Sequence, residues 1–336
     1  MIRHLLTLTL LCATTAPMAL LSSGCKRGAA EQERTKAPES ATPEDVPAMP
    51  LTLRDATGAE IAVEDTSRIV SSGGTLTEIV HALGFGDRLV GVDTSSLHPG
   101  SVTRLPKIGY QRQLSAEGVL SLSPSLILAS EESGPPPVMA QLRASGTPLF
   151  VVPTEHTVDG AKATVRTLGT LLEREDAARA LVEAMERDLA SARDLHPSDD
   201  TTRPRVLFIY ARGQGTLNVA GEATAGDVMI GLAGGVNAVR GFEGYRPLTA
   251  ESVVSAAPDV ILMTRMGSES VGGGDSVFEL PGLALTPAAR TRRLVVMDDL
   301  LLLGFGPRTG EAALELARAL HGAAPSASAA PEGGAP

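Results

Sequence analysis

The stretch "YQRQLSAEGVLSLSPSLIL" (Tyr110–Leu128) has a near-copy later in the chain, "YRPLTAESVVSAAPDVIL" (Tyr245–Leu262). Both contain R-x-L-[S/T]-A-E, at Arg112–Glu117 and Arg246–Glu251, with a tyrosine just upstream. The phrase is one unit of supersecondary structure: a loop, a short helical pattern, a proline and a β-branched run. Outward from it the surroundings repeat as well. "RIVSS" is echoed by "RVLFIY", "TLTEIVHALG" by "AGDVMIGLAGG" and "SLILAS" by "DVILMT". Short apolar strands alternating with helical patterns imply a parallel sheet covered on both faces.

The repeat therefore predicts an α/β protein with two Rossmann-like lobes. Ligands of such sheets sit outside the carboxyl ends of the strands, so facing lobes would place the twin loops on opposite lips of one cleft. Between the copies, Val158 to Ala192 keeps a 3.6-residue apolar period with Gly169 as its one weak point, which reads as a single long backbone helix. The boundaries follow as 51–155 for the N-terminal lobe, 156–200 for the linking helix and 201–322 for the C-terminal lobe. A hairpin is expected at Leu51–Asp65, around an Ala-Thr-Gly turn.

The ends are of a different kind. Arg3 and His4 precede an apolar run, Leu5–Leu21, too short and Thr-rich for a comfortable membrane span, and "LSSGC" closes on Cys25. Residues 1–25 resemble a bacterial lipoprotein signal peptide with Cys25 lipidated, although Ser22 stands where leucine is usual; plain secretion is the alternative. Residues 26–50, rich in Ala, Glu and Pro, read as a flexible tether, and 323–336 as a disordered low-complexity tail. Cys12 lies inside the leader, so the mature chain would hold no internal disulfide and no thiolate metal site.

The 336 residues suffice for two cores, and a net charge of −10 argues against nucleic acid as a partner. No histidine pair has metal-ligand spacing, no G-x-S-x-G elbow is present, and "GFGPRTG" (Gly304–Gly310) lacks the downstream acid of a dinucleotide fingerprint. That segment reads as a strand-to-helix turn on the C-terminal side of the cleft. An enzyme is not expected. Tryptophan is absent and tyrosine occurs three times, which makes each tyrosine worth explaining.

The segments "SSGGTLTEIVHALGFGDRLVGVD", "LPKIGYQRQLSAEGVL", "AGGVNAVRGFEGYRPLTAESV" and "LPGLALTPAARTRRLVVMDDLLLLGFGPRT" resemble the periplasmic substrate-binding proteins of cobalamin, siderophore and haem ABC importers, and most closely their haem-binding branch. The resemblance covers nearly all of 51–322. It implies haem as transported cargo rather than cofactor, and delivery to an ABC permease dimer with its ATPase. It also implies Tyr110 as the ligand of ferric haem iron. Its phenolate would be favoured by the iron and by Arg112 two residues on; a loop tyrosine that merely packs is the alternative. Arg212, Tyr245 and Arg246 are candidates to meet the haem or its propionates. His98 and His156 are candidates for a second axial ligand. Glu117 and Glu251 match the carboxylates that dock on permease arginines, while helix capping through Ser115 and Thr249 would place acids there too. The expected location is periplasmic or extracytoplasmic, tethered to a membrane at Cys25. A siderophore or cobalamin carrier is the neighbouring reading, and an exported Rossmann-type enzyme the distant one.

Overall fold

A computed structural model describes residues 51–212, 215 and 217–322. The signal, tether and tail expectations, Cys25 among them, lie outside the described residues.

The N-terminal lobe is built on a four-stranded parallel sheet with Ile69–Ser72 and Leu126–Ser130 at its centre, flanked by Leu89–Val92 and Leu149–Val152. The C-terminal lobe repeats this order with Arg205–Ala211, Val236–Asn237, Val260–Thr264 and Leu294–Met297. It then departs from the repeat. Leu217–Ala220 pairs antiparallel with the far half of Arg205–Ala211, and Tyr245–Pro247 adds a further antiparallel strand outside it. The small hairpin Leu51–Arg54 with Glu60–Val63 forms as the alternation predicts.

Alternate residues of each strand enter different cores, because side chains change face at every step. Ile69, Leu126, Leu128, Val206, Phe208, Val260 and Leu262 join one cluster that runs through both lobes and the linking helices. Val70, Ile127 and Ala129 face a core confined to the N-terminal lobe. Leu207, Ile209, Ile261 and Met263 face its C-terminal counterpart. The lobes thus share one hydrophobic base beneath their two private cores.

One expected element differs. The linking segment is two helices, Val158–Leu171 and Glu175–Arg193, not a single long one. Glu173 adopts φ 53°, and Arg174 N donates to Gly169 O at 2.6 Å, so the chain turns. A Cβ on Gly169 would come within 2.4 Å of Ala178 Cβ. In one straight helix those positions would stand about 13 Å apart. Gly169, the weak point of the sequence pattern, is where the second helix packs against the first.

Across the base of the cleft, helix Gly74–Val80 of the N-terminal lobe meets the C-terminal "GFGPR" segment. Thr75 Oγ1 donates to Gly304 O at 2.8 Å, and the Arg308 guanidinium grips the Glu78 carboxylate through Nε and, at 3.2 Å, Nη2. Glu78 is 6% exposed at its side chain, so removing one partner strands a buried charge. Arg308→Met is expected to lower unfolding stability by about 3 kcal/mol, and Glu78→Met/Arg308→Met to restore much of it. Urea midpoints decide: a double variant as unstable as the single one sinks this account.

Candidate functional site

A cavity of about 620 Å³ opens between the lobes, within the range of small-molecule sites. Its N-terminal wall includes Tyr110, Gln111 and Glu132, its C-terminal wall Tyr210, Arg212 and Met266, and His156 and Phe305 line it as well.

Tyr110 sits in a two-stranded hairpin, Gly109–Tyr110 with Gln113–Leu114. Gly109 takes φ 100°, a conformation open to glycine. The hairpin is fastened at both ends. Thr94 N donates to Gly109 O at 2.9 Å, and Leu114 N to Gly134 O at 2.7 Å. The phenol is thus carried on fixed backbone, half-buried at the cleft edge. Arg112 at the hairpin turn makes a 2.7 Å ion pair with Glu132. That bond, followed by the nearby phenols of Tyr110 and Tyr210, holds its guanidinium above its usual range.

The partner of this pair is not the one the repeat suggested. Facing Tyr110 and Arg112 are Tyr210 and Arg212, at the end of strand Arg205–Ala211, which outruns its N-terminal counterpart. Arg212 Nε donates to Tyr210 Oη at 2.5 Å. Burial alone would lower the Arg212 guanidinium, but the phenols of Tyr210 and Tyr110 raise it further. Two segments with the same Y-x-R spacing, "YQR" and "YAR", therefore approach each other at one cleft, with Tyr110, Tyr210 and Arg212 in its wall and Arg112 outside it. Tyr210 was missed in the sequence, where the signal was the spacing itself and the scarcity of tyrosine.

Tyr245 and Arg246 lie one layer back, on the outer antiparallel strand. The Tyr245 ring stands 5.5 Å from that of Tyr210. Partial desolvation against its neighbours, then the charge of Tyr210, pushes its phenol up, although part of the side chain stays exposed. Arg246 stacks 4.3 Å over the Phe242 ring and does not line the cavity. His98 is also outside the cavity wall, although its neighbour Leu97 lines it.

His156 is within the cavity wall. Its ring meets that of Phe305 edge-on at 5.6 Å, and its Nδ1 is buried without a hydrogen-bond partner. Burial lowers its pKa, which favours the neutral imidazole, a ring with one N–H and one acceptor nitrogen. Phe305 holds φ 47°, a left-handed backbone that costs energy in a bulky residue and here aims the ring at His156. The "GFGPRTG" segment joins helix Asp299–Leu303 to helix Thr309–His321, so it is a helix-to-helix turn rather than the strand-to-helix turn expected.

Glu117 and Glu251 occupy the first turns of helices Ala116–Leu120 and Ala250–Ala256, and both are exposed. The caps are Ser115 and Thr249, whose side chains accept from Gly118 N and Ser252 N. Capping therefore does not use the glutamates, and neither carboxylate makes an ion pair among the described residues. Also among the described residues, no group of three His, Cys, Asp or Glu is placed to hold a bare metal ion, and no helix is long and apolar enough to cross a membrane.

Two α/β lobes on a common base, with a ligand-sized cleft between them, define a bilobal solute-binding protein. A family model described as "Periplasmic binding protein" matches residues 69–301, and the chain belongs to that family. The periplasmic haem-binding protein RhuT of Roseiflexus sp. RS-1 is 46% identical, over 76% of this chain and 98% of that one, with a TM-score of 0.73. BhuT, a periplasmic haem-binding protein solved with two haems, is 42% identical, over 76% of this chain and 97% of its own, with a TM-score of 0.69. The uncharacterised ABC transporter substrate-binding lipoprotein YvrC of Bacillus subtilis is 26% identical, over 90% of this chain and 94% of that protein. These relatives are binding proteins rather than enzymes.

Proposed function

We propose that the protein captures haem between its lobes and delivers it to an ABC permease for uptake. The observation that carries this is the meeting of Tyr110 with Tyr210 and Arg212 in the cleft wall, with Arg112 beside them outside that wall. A phenolate is a hard anionic donor suited to ferric haem iron, and an adjacent guanidinium favours the ionised phenol. Tyr110 is the proposed iron ligand, on its pinned hairpin. Arg212 is the cleft-wall cation that can meet a propionate, its Tyr210 bond being exchanged for a carboxylate. Among the described residues His156 is the histidine that lines the cavity, and it is the proposed second ligand. Tyr245 supports Tyr210 from behind, and Arg246 acts through packing.

The test is a hemin titration followed in the Soret region, which is expected to show saturable binding and a tyrosinate-type ferric spectrum. Saturable binding of cobalamin or a ferric siderophore, with none of hemin, would overturn the proposal in favour of the neighbouring reading.

Membership of the periplasmic binding protein family and the substrate-binding relatives support a location outside the cytoplasm as the binding component of an ABC importer. A lipid anchor on Cys25 accords with the lipoprotein description of YvrC. Cys25→Ser is expected to move the protein from the membrane fraction to the soluble one; a wild type already soluble would show a plain signal peptide instead. The permease is taken to be a dimer with its ATPase, met by Glu117 on one lobe and Glu251 on the other.

A further inference from the structure

Six large apolar side chains are exposed among the described residues: Leu97, Leu195, Tyr245, Val254, Met266 and Leu285. Leu97 and Met266 line the cleft, and Tyr245 packs on Tyr210 behind its lip. Leu195 stands by itself just after the linking helices. Isolated apolar residues on a surface need no explanation. Val254, 43% exposed, and Leu285, 70% exposed, are not isolated.

The backbone brings those two together. Gly282 lies so close to Ala250 that an added Cβ would stand 2.7 Å from the Ala250 carbonyl oxygen. Further on, Ala288 N donates to Pro258 O at 2.9 Å. Residues 282–288 therefore run alongside helix Ala250–Ala256, pinned at both ends, with Leu285 and Val254 both midway. Val254 is also three positions after Glu251 and shares its helix face. A free carboxylate and two exposed apolar side chains thus occupy one shoulder of the C-terminal lobe, with Arg290, which donates to Leu285 O at 3.4 Å, beside them.

The N-terminal lobe lacks this surface. Leu120, the counterpart of Val254 in the repeat, is half-buried against that lobe's own core. Helix Pro136–Ala144 packs on Ala116–Leu120, and residues 282–288 take the corresponding role in the C-terminal lobe.

We infer that Val254 and Leu285 form an apolar contact for the permease beside Glu251, so that the C-terminal lobe is the stronger anchor of the docked complex. The inference rests on the docking reading of Glu251 given above. The fitting partner surface has an apolar side chain within reach of an arginine or lysine, the pairing that a lone carboxylate next to exposed hydrocarbon complements.

The experiment compares wild type, Val254→Ser/Leu285→Ser and Glu251→Ala, each loaded with haem, in binding to the haem permease–ATPase complex in lipid nanodiscs. The double serine variant is expected to titrate with hemin like wild type and to dock about tenfold more weakly. Wild-type docking by the serine variant, with Glu251→Ala weakened, overturns the apolar contact and leaves the docking reading standing. Wild-type docking by both variants overturns the two together. If wild type self-associates in sedimentation while the serine variant stays monomeric and docks normally, the surface joins copies of this chain and the inference is again overturned.

Discussion

Tyr110→Phe is expected to bind hemin about 100-fold more weakly than wild type, a loss of roughly 3 kcal/mol. The substitution keeps the ring and removes only the oxygen. The hairpin should survive, because Thr94, Leu114 and Gly134 fasten it through backbone atoms. The tyrosinate-type spectrum should vanish with the affinity. Arg112→Ala should weaken binding less and shift the spectrum, because the ligand remains while the Arg112–Glu132 ion pair two residues on is lost. It also releases Glu132, a carboxylate in the cleft wall, to face the haem unpaired. Tyr210→Phe is the informative companion. It should cost less than Tyr110→Phe and leave the tyrosinate bands in place. If Tyr210→Phe alone abolishes those bands, the iron is held by the C-terminal lobe and the assignment of Tyr110 is wrong.

Glu117→Ala/Glu251→Ala is expected to abolish transport while leaving hemin affinity unchanged. Both carboxylates are exposed, neither caps its helix, and neither lines the cleft. In the free protein they contribute little, since exposed charges are worth about 0–1 kcal/mol even when paired. Once docking removes water from around them, losing one member of a charge pair can cost about 2–5 kcal/mol. The measurement is haem-dependent ATPase stimulation of the permease complex, with a hemin titration alongside. Wild-type stimulation by the double variant, or loss of hemin binding in it, would end the division of labour proposed for the twin motifs.

Much of the architecture was legible because each central strand is buried on both faces. Runs such as "SLILAS" and "DVILMT" must be apolar at nearly every position, with alternate residues feeding different cores. The break in the linking segment was not legible. Both helices bury one face in the shared base, so the apolar period continues across "LLERED" without a glycine or proline stop. The turn at Glu173 is made by tertiary packing, with Arg174 stacked 5.0 Å over the Phe85 ring and Ala178 seated on Gly169. Chain periodicity records which face is buried and is blind to the direction in which the next helix runs.

By itself, the sequence determined two α/β lobes of like order, the tyrosine loop at Tyr110 and the matched glutamates at Glu117 and Glu251. Local pattern and capping chemistry suffice for those. Which residues face Tyr110 was decided only in three dimensions. The repeat pointed to Tyr245 and Arg246, because they stand beside the second R-x-L-[S/T]-A-E. In the folded chain an antiparallel pair of strands inserted in the C-terminal sheet carries them to its outer edge. The strand they left behind extends to the cleft and presents Tyr210 and Arg212 instead. Likeness along the chain fixes what a segment becomes locally; opposition across a cleft depends on strand length and sheet order, which the repeat does not encode.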